Sequence, residues 1–433
     1  MTNERGYTTR TTCRVCGSAE LESLFSLGDQ FVSDFVPAGK VLTGPRCPIE
    51  LVLCRRCTLV QQQHTAPQDF LYTRHYWYRS NLNPANVAAL ADVARAAERV
   101  AGLKPGDVVL DIGSNTGNLL RSYTVPELFR VGIEPATNLA KEGRQGIELL
   151  IQDFWSYKAW QRVFGSTAAK SVWRFVEGGP RAAVITACGM FYDTDDPNSF
   201  IADVAKVLAP DGVFIAQLMC LKQTVEQGDV GNLVSEHLEF YSLVSLSFLF
   251  GQHGLEIFDI EENNVNGGSY RLFIRHKGSG VGTLGPGAYM LSVGKYAAIE
   301  NGLELYKPAT YRYWFARVQA NRDRCVDFIR KEVAARKRVW IYGASTKGNV
   351  ISQWYGLDTT LIEAAADRSP EKVGLHMVGT GIPIRSEEEF RRAKPDYALC
   401  LPYAFREEFL VREQEWRKGG GKFIFPLPTL EVV

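Results

Sequence analysis

The sequence predicts an α/β protein in three parts: a small amino-terminal metal-binding module followed by two Rossmann-like domains. Three observations carry this. Two C-x-x-C pairs, Cys13/Cys16 and Cys54/Cys57, lie near the amino terminus. An apolar run, Val109-Leu110-Asp111-Ile112, breaks into the glycine-bracketed turn Gly113-Ser114-Asn115-Thr116-Gly117. A later apolar run, Val339-Trp340-Ile341-Tyr342, breaks into Gly343-Ala344-Ser345-Thr346-Lys347-Gly348. Strands that alternate with helices build a doubly wound sheet whose ligands sit at the carboxyl ends of the strands.

With 433 residues and 45% hydrophobic side chains, the chain has room for two or three domains. A net charge of +1 offers no electrostatic capture of nucleic acid or of an acidic membrane. No apolar stretch is long enough to span a bilayer. The polar start Met1-Thr2-Asn3-Glu4-Arg5 lacks the apolar core of a secretory signal. A cytoplasmic location is expected, where cysteines stay unpaired.

The first part is expected over residues 1–68. Two residues between cysteines let both thiolates reach one ion, and Gly17 permits the tight turn after the first pair. Four thiolates from Cys13, Cys16, Cys54 and Cys57 satisfy tetrahedral zinc and leave no open position, so a structural Zn²⁺ is expected. A redox C-x-x-C is the rival reading, and two such pairs in one module argue against it. Cys47 and His64 are alternative ligands without the knuckle spacing.

The second part is expected over 69–283, with a helical entry. Tyr72 to Ser80 concentrates aromatic and basic side chains, either as packing between modules or as ordered phenols beside a ligand. A helix is expected from Asn86 to Val100. The turn after Asp111 reads D-x-G-x-x-x-G, which is neither the dinucleotide fingerprint nor a phosphate-cradling loop. Glu134 closes the next apolar run about 20 residues on, where a ribose-binding acid belongs. A nucleoside ligand without a phosphate signature points to S-adenosylmethionine. The expected contacts are Asp111, Gly113, Ser114, Asn115, Gly117, Glu134, Pro135, and the Asp153-Phe154 pair that can bracket an adenine. A structural βα turn or a degenerate dinucleotide site is the competing reading.

Further strands are expected at Ala182 to Cys188 and Val213 to Leu218, with a helix from Asn198 to Leu208 and a turn at Pro210-Asp211-Gly212. Glu236 and His237 follow in a polar loop. Imidazole is suited to proton transfer near neutral pH, so His237 is a candidate base; a structural histidine is the alternative.

Together these landmarks resemble the zinc-containing sugar C-methyltransferases of deoxysugar and antibiotic pathways. The resemblance runs through the C-x-x-C pairs, Tyr76-x-Tyr78-x-Ser80, Asp111-Ile112-Gly113-Ser114-Asn115, Gly132-Ile133-Glu134-Pro135 and Met190-Phe191-Tyr192-Asp193. It continues through Glu236-His237-Leu238-Glu239-Phe240-Tyr241-Ser242, Val265-Asn266-Gly267-Gly268-Ser269-Tyr270-Arg271 and Tyr342 to Asn349. It implies a class I methyltransferase domain and a dTDP-linked 4-keto-deoxysugar methylated at carbon 3. It further implies His237 as the base, Glu236 nearby, and Tyr78, with Tyr76 second, at the carbonyl oxygen. One departure stands out: many members carry Tyr-His or Cys-His before Glu-His, whereas here Val234-Ser235 precede it, and Asp193 stands near where some have His. A non-sugar acceptor methylated at carbon, nitrogen or oxygen on the same scaffold is the second reading. A zinc module with a ligand-binding but non-catalytic domain is the third.

The third part is expected over 284–433: a helical connection from Leu284 to Ala320, then strands near Val339, Leu361 to Asp367 and Asp396 to Leu401. The resemblance implies that this unit encloses the substrate and binds no second cofactor. Lys347 is either a neutraliser of a diphosphate or a structural lysine.

Overall fold

The computed structural model describes residues 6–73, 75–164, 180–281, 290–402 and 405–433. The amino-terminal unit is an antiparallel sheet of Leu21–Phe31, Arg46–Cys54 and Val60–Gln62. Its fourth strand, Glu239–Phe240, comes from the middle of the chain and pairs Glu239 with Gln61 and Phe240 with Val60. Alternating burial along Arg46–Cys54 sets Cys47, Ile49 and Leu51 inward, as a half-buried strand requires.

The central sheet has seven strands in the order Leu255–Asn263, Ser269–His276, Leu208–Met219, Ala182–Cys188, Val108–Ile112, Phe129–Ile133 and Leu149–Ile151. The last five are mutually parallel, while Ser269–His276 runs antiparallel to both of its neighbours. Numbered along the chain, this is the 3-2-1-4-5-7-6 arrangement of a class I methyltransferase. The first strand, Val108–Ile112, is buried throughout, as a central parallel strand covered on both faces must be.

The expected helix at Asn86 spans Pro84–Ala101. It starts earlier because Asn83 accepts from the Ala85 N–H and Pro84 takes the first turn, and it stops at Gly102 in the left-handed region (φ 58°). Val93, Ala94, Ala96 and Ala97 bury one face against Val109, Val184 and Ile215. The helix expected from Asn198 to Leu208 is Pro197–Val207, capped by Asp196.

The turn expected at Pro210-Asp211-Gly212 does not end a strand; it is a bulge inside one. Ala182 pairs with Leu208 and Val184 with Val213, so one strand advances two residues while the other advances five. Pro210 has no N–H to give the ladder, and it is extruded to solvent with Asp211.

In the carboxy-terminal unit the expected helical connection is two helices, Met290–Gly302 and Pro308–Ala334, the second running well past Ala320. Leu284 and the expected 283/284 boundary lie outside the described residues. A six-stranded sheet follows in the order Ile384–Ser386, Ala364–Asp367, Val339–Tyr342, Tyr397–Cys400, Lys422–Phe425 and Glu431–Val432, parallel except at its last strand. It packs on Cys325, Val326 and Ile329 of the long helix.

The amino-terminal unit is fastened to both larger units. Phe35–Val36 pairs with His376–Met377, and the Phe31 backbone exchanges two hydrogen bonds with the Gln353 side chain. Glu239–Phe240 ties the amino-terminal unit to the central part, and Arg79 joins the two larger units to each other, pairing with Glu142 at 3.1 Å and with Glu371 at 3.0 Å. Among the described residues no helix is long and apolar enough to cross a membrane.

Candidate active site

Two cavities meet at the carboxyl ends of the central strands. The smaller, about 400 Å³, is lined by Asp111, Gly113, Ser114, Asn115, Glu134, Pro135 and Phe154, as the sequence proposes. Gly113 has φ 72°, and a Cβ there would stand 2.8 Å from Met190 Cγ. Gly117 (φ 78°) is not in the wall; it shapes the turn, where a Cβ would meet the Gly143 carbonyl at 3.0 Å. Glu134 is fixed by the backbone N–H groups of Asn115 and Ala136, each at 2.9 Å, while burial pushes its carboxyl above the usual range. Asp111 accepts from the Thr186 hydroxyl at 2.6 Å, and burial raises it to about 7. Asp153 does not line the cavity; its carboxylate pairs with Arg162 at 2.7 Å, and the neighbouring Trp155 reaches the wall instead.

The Tyr76–Ser80 segment is tied to the rim of this cavity by two asparagines, one in the glycine turn and one after the strand Phe129–Ile133. Asn115 Oδ1 accepts from the Ser80 N–H and its Nδ2 donates to the Tyr78 carbonyl. Asn138 accepts from the Tyr76 N–H and donates back to the Tyr76 carbonyl. Tyr76 and Tyr78 thereby stand in the wall shared by both cavities, with Cys188, Gly189 and Asp193. Tyr78 is 45% exposed and its hydroxyl accepts from Asn86, whereas Tyr76 is more enclosed.

The larger cavity, about 570 Å³, is walled by all three units: Asp34 and Phe35 from the first, Tyr192, Glu236 and His237 from the second, Thr346 and Lys347 from the third. His237 Nδ1 lies 2.9 Å from the Asn232 carbonyl. A carbonyl only accepts, so Nδ1 carries the proton and Nε2 keeps its lone pair. Burial, then Lys347, lowers this imidazole to about 3, leaving it neutral at working pH. Glu236 is raised by burial to about 7, and its Oε2 has no hydrogen-bond partner among the described residues. Lys347 is enclosed, donates to the Asn232 side chain, and is lowered by burial against the pull of Asp229, Asp193 and Glu236.

Away from the cavities, the sulfurs of Cys13, Cys16, Cys54 and Cys57 all lie within 4.8 Å of one another, with 3.5 Å between Cys13 and Cys57 and 3.4 Å between Cys16 and Cys54. A Zn–S bond of about 2.3 Å implies tetrahedral sulfur separations near ~3.8 Å, so the set fits the ion. Cys47 and His64 stand apart: Cys47 faces the Pro48 carbonyl and His64 lies against Glu50.

Comparison with known proteins agrees with this geometry. Residues 13–72 match a zinc binding domain, 78–260 a methyltransferase domain, and 264–428 a C-methyltransferase C-terminal domain. The C-methyltransferase NovU of Streptomyces niveus is 30% identical over 426 residues, covering 97% of this chain and 96% of its own. The chain belongs to the C-methyltransferase family.

Among solved structures, an S-adenosylmethionine-dependent methyltransferase from Clostridium acetobutylicum overlaps 44% of this chain and 92% of its own at 15% identity and a TM-score of 0.32. The CcbJ methyltransferase from Streptomyces caelestis overlaps 43% and 90% at 14% identity and 0.32. The family matches and the cysteine cluster, rather than these overlaps, make the chain an S-adenosylmethionine-dependent methyltransferase with a zinc-binding module.

Sequence reasoning missed how that module holds the wall of the larger cavity. The Gln62 side chain donates to the carbonyls of Val234 and His237, and its N–H donates to the Leu238 carbonyl. Arg14, inside the first knuckle, donates to Gln61, the Gln62 carbonyl and Thr65, and lies 3.3 Å from Asp195 and 3.6 Å from Glu239. The one available sign was polar Gln61-Gln62 closing the apolar run Leu59-Val60.

Proposed function

We propose that the protein methylates carbon 3 of a dTDP-linked 4-keto-deoxysugar. The observation that carries this reading is the neutral His237, with Nε2 free, in a three-walled cavity that abuts the donor cavity. Asp111, Gly113, Ser114, Asn115, Glu134, Pro135 and Phe154 hold S-adenosylmethionine, which supplies a methyl group on a sulfonium centre open to a carbon nucleophile. A carbon acceptor needs its proton removed first, and a ketone beside that carbon makes the proton acidic once the oxygen is stabilised. His237 Nε2 takes the proton while Asn232 holds the ring through Nδ1–H. Tyr76 or Tyr78 hydrogen-bonds the ketone oxygen from the shared wall, and Glu236 orients the sugar beside the base. Holding both reactants at that wall supplies much of the rate. Lys347 adds positive charge on the side where the carboxy-terminal unit closes the cavity. Cys13, Cys16, Cys54 and Cys57 hold zinc as a structural ion.

The test is incubation with labelled donor and a panel of dTDP-4-keto-6-deoxyhexoses, with the methylated carbon located by NMR. Transfer to carbon 3 is expected. Donor binding by calorimetry without transfer to any keto-sugar rejects the acceptor.

A further inference from the structure

Asp193 lies in the wall common to both cavities, on the turn Phe191–Asp193 that follows the strand Ala182–Cys188. It is only 8% exposed, yet Oδ1 has no hydrogen-bond partner among the described residues. A buried polar atom left without a partner is costly unless something else satisfies it, and here the adjoining space is where the two reactants meet. The turn is docked on the base's own segment. The Leu238 N–H donates to the Tyr192 carbonyl at 2.8 Å, and the Tyr192 ring meets the His237 ring edge-on at 4.7 Å between centroids. Asp193 thus stands on a strand-end turn hydrogen-bonded to the loop that carries the base.

We propose that Asp193 is a catalytic hydrogen-bond donor: its carboxylic acid hydrogen-bonds the acceptor oxygen that gains negative charge as the carbon–hydrogen proton leaves. The inference rests on the carbanion reading given above, and it adds a group that reading does not use. The surroundings keep the proton on Asp193. Burial raises its carboxyl well above the usual range, and Glu236 and Glu239 raise it further, against the opposing pull of Lys347. Tyr76 faces the same spot: burial, then Asp193 and Glu236, hold its phenol well above the ordinary value, so it too keeps its proton. Two neutral donors fixed before reaction stabilise a developing oxyanion without reorganising, and an apolar site can keep a carboxylic acid protonated for this use. The proton count closes: His237 Nε2 receives the proton from carbon, and Asp193 donates a hydrogen bond and retains its own proton.

The test has two arms. In the first, infrared difference spectra of the whole protein, wild type minus Asp193→Asn at neutral pH, should contain the carbonyl stretch of an un-ionised carboxylic acid. A carboxylate pair of bands instead overturns the inference, whatever the acceptor is. In the second, exchange of the carbon-3 proton of dTDP-4-keto-6-deoxyglucose with deuterated water is followed with S-adenosylhomocysteine in the donor cavity. Asp193→Ala should slow exchange about 10²–10³-fold, and Asp193→Asn, which keeps an N–H donor, should restore most of it, with zinc content unchanged in both and each rate read at saturating S-adenosylhomocysteine. Exchange at the wild-type rate in Asp193→Ala overturns the donor role. Wild-type protein that exchanges no keto-sugar proton overturns the acceptor reading on which that role rests, and is distinct from either result above.

Discussion

Arg14 Nε stands 3.6 Å from Glu239 Oε1, with both side chains wholly enclosed. The pair joins the first cysteine knuckle to the strand that starts two residues after His237. Asp195, two residues after Asp193, is the second partner of the same guanidinium, and burial notwithstanding its carboxyl is held below the usual range by Arg14, Thr65 and Arg10. One arginine therefore braces both loops of the acceptor wall.

Burial pushes the Glu239 carboxyl well above the usual range, against the pull of Arg14 and Arg10. Removing Arg14 takes away the main opposing charge, and breaking a buried pair of this kind typically costs about 3–5 kcal/mol. Arg14→Met, which also removes the bonds to Gln61, Gln62, Thr65 and Asp195, is expected to lose stability of at least that order in denaturant unfolding and to lower kcat more than donor affinity. Arg14→Met combined with Glu239→Met should recover much of the stability. A double variant as unstable as the single would show that the pair is not the brace.

Metal removal should act on turnover through the same route. With zinc chelated, or in Cys54→Ser, methyl transfer is expected to fall to background because Gln62 no longer holds the His237 loop. Donor affinity, set at Asp111 to Pro135, should persist by calorimetry. Metal-free protein, verified by elemental analysis, that retains full activity would refute this.

His237→Asn should abolish transfer and leave donor affinity intact. The acid limb of the wild-type pH–rate profile tests the base further. With the imidazole lowered from 6.5 to about 3 by burial and Lys347, the base form persists well below the usual histidine range. No loss of kcat centred near pH 6.5 is expected from this group.

Glu236 predicts a pH dependence of the opposite kind. Its carboxyl is raised from 4.5 to about 7, so its stability contribution is complete below pH 4.5 and is lost as pH rises through 7. The loss is on the order of 3 kcal/mol at pH 8. Glu236→Gln should therefore melt close to wild type at pH 4.5 and above it at pH 8; coincident melting temperatures at both would contradict the shift.

In the donor turn, Gly113→Ala puts a Cβ at φ 72° and 2.8 Å from Met190 Cγ. Donor affinity should fall at least about tenfold, or ~1.4 kcal/mol, from the strain of a left-handed non-glycine residue and the displaced wall. Calorimetry with S-adenosylhomocysteine reads it directly.

The strands at Val108–Ile112, Phe129–Ile133, Ala182–Cys188, Val339–Tyr342 and Tyr397–Cys400 were legible because buried parallel strands read as apolar runs; Leu255–Asn263, Ile384–Ser386 and Lys422–Phe425 were not expected. The cysteine cluster was legible because its spacing carries the chemistry, and the place of Glu134 beside the glycine turn because it closes the next apolar strand. The bulge at Pro210 was not, since a proline and a glycine mark a break without saying whether the ladder resumes. Nor were the parts of Arg14, Gln62 and Asn138, whose partners lie tens to hundreds of residues away. Asp153 misled: an acid beside an aromatic suits an adenine, but Arg162, nine residues on, offers a closer partner. Which residues wall the larger cavity depends on three units meeting, and no local pattern encodes that.

The strand Glu239–Phe240 completes a sheet begun more than two hundred residues earlier. Until that strand has left the ribosome, Val60–Gln62 presents an open edge, the kind of surface that recruits other chains. The cysteine module is thus not a bead that can be cut off or grafted elsewhere. Its fourth strand is Glu239–Phe240, so a nascent chain completes this sheet and seats the His237 loop beside it together. A chain that stalls or is truncated before Phe240 should leave synthesis with both unmade and with an adhesive edge.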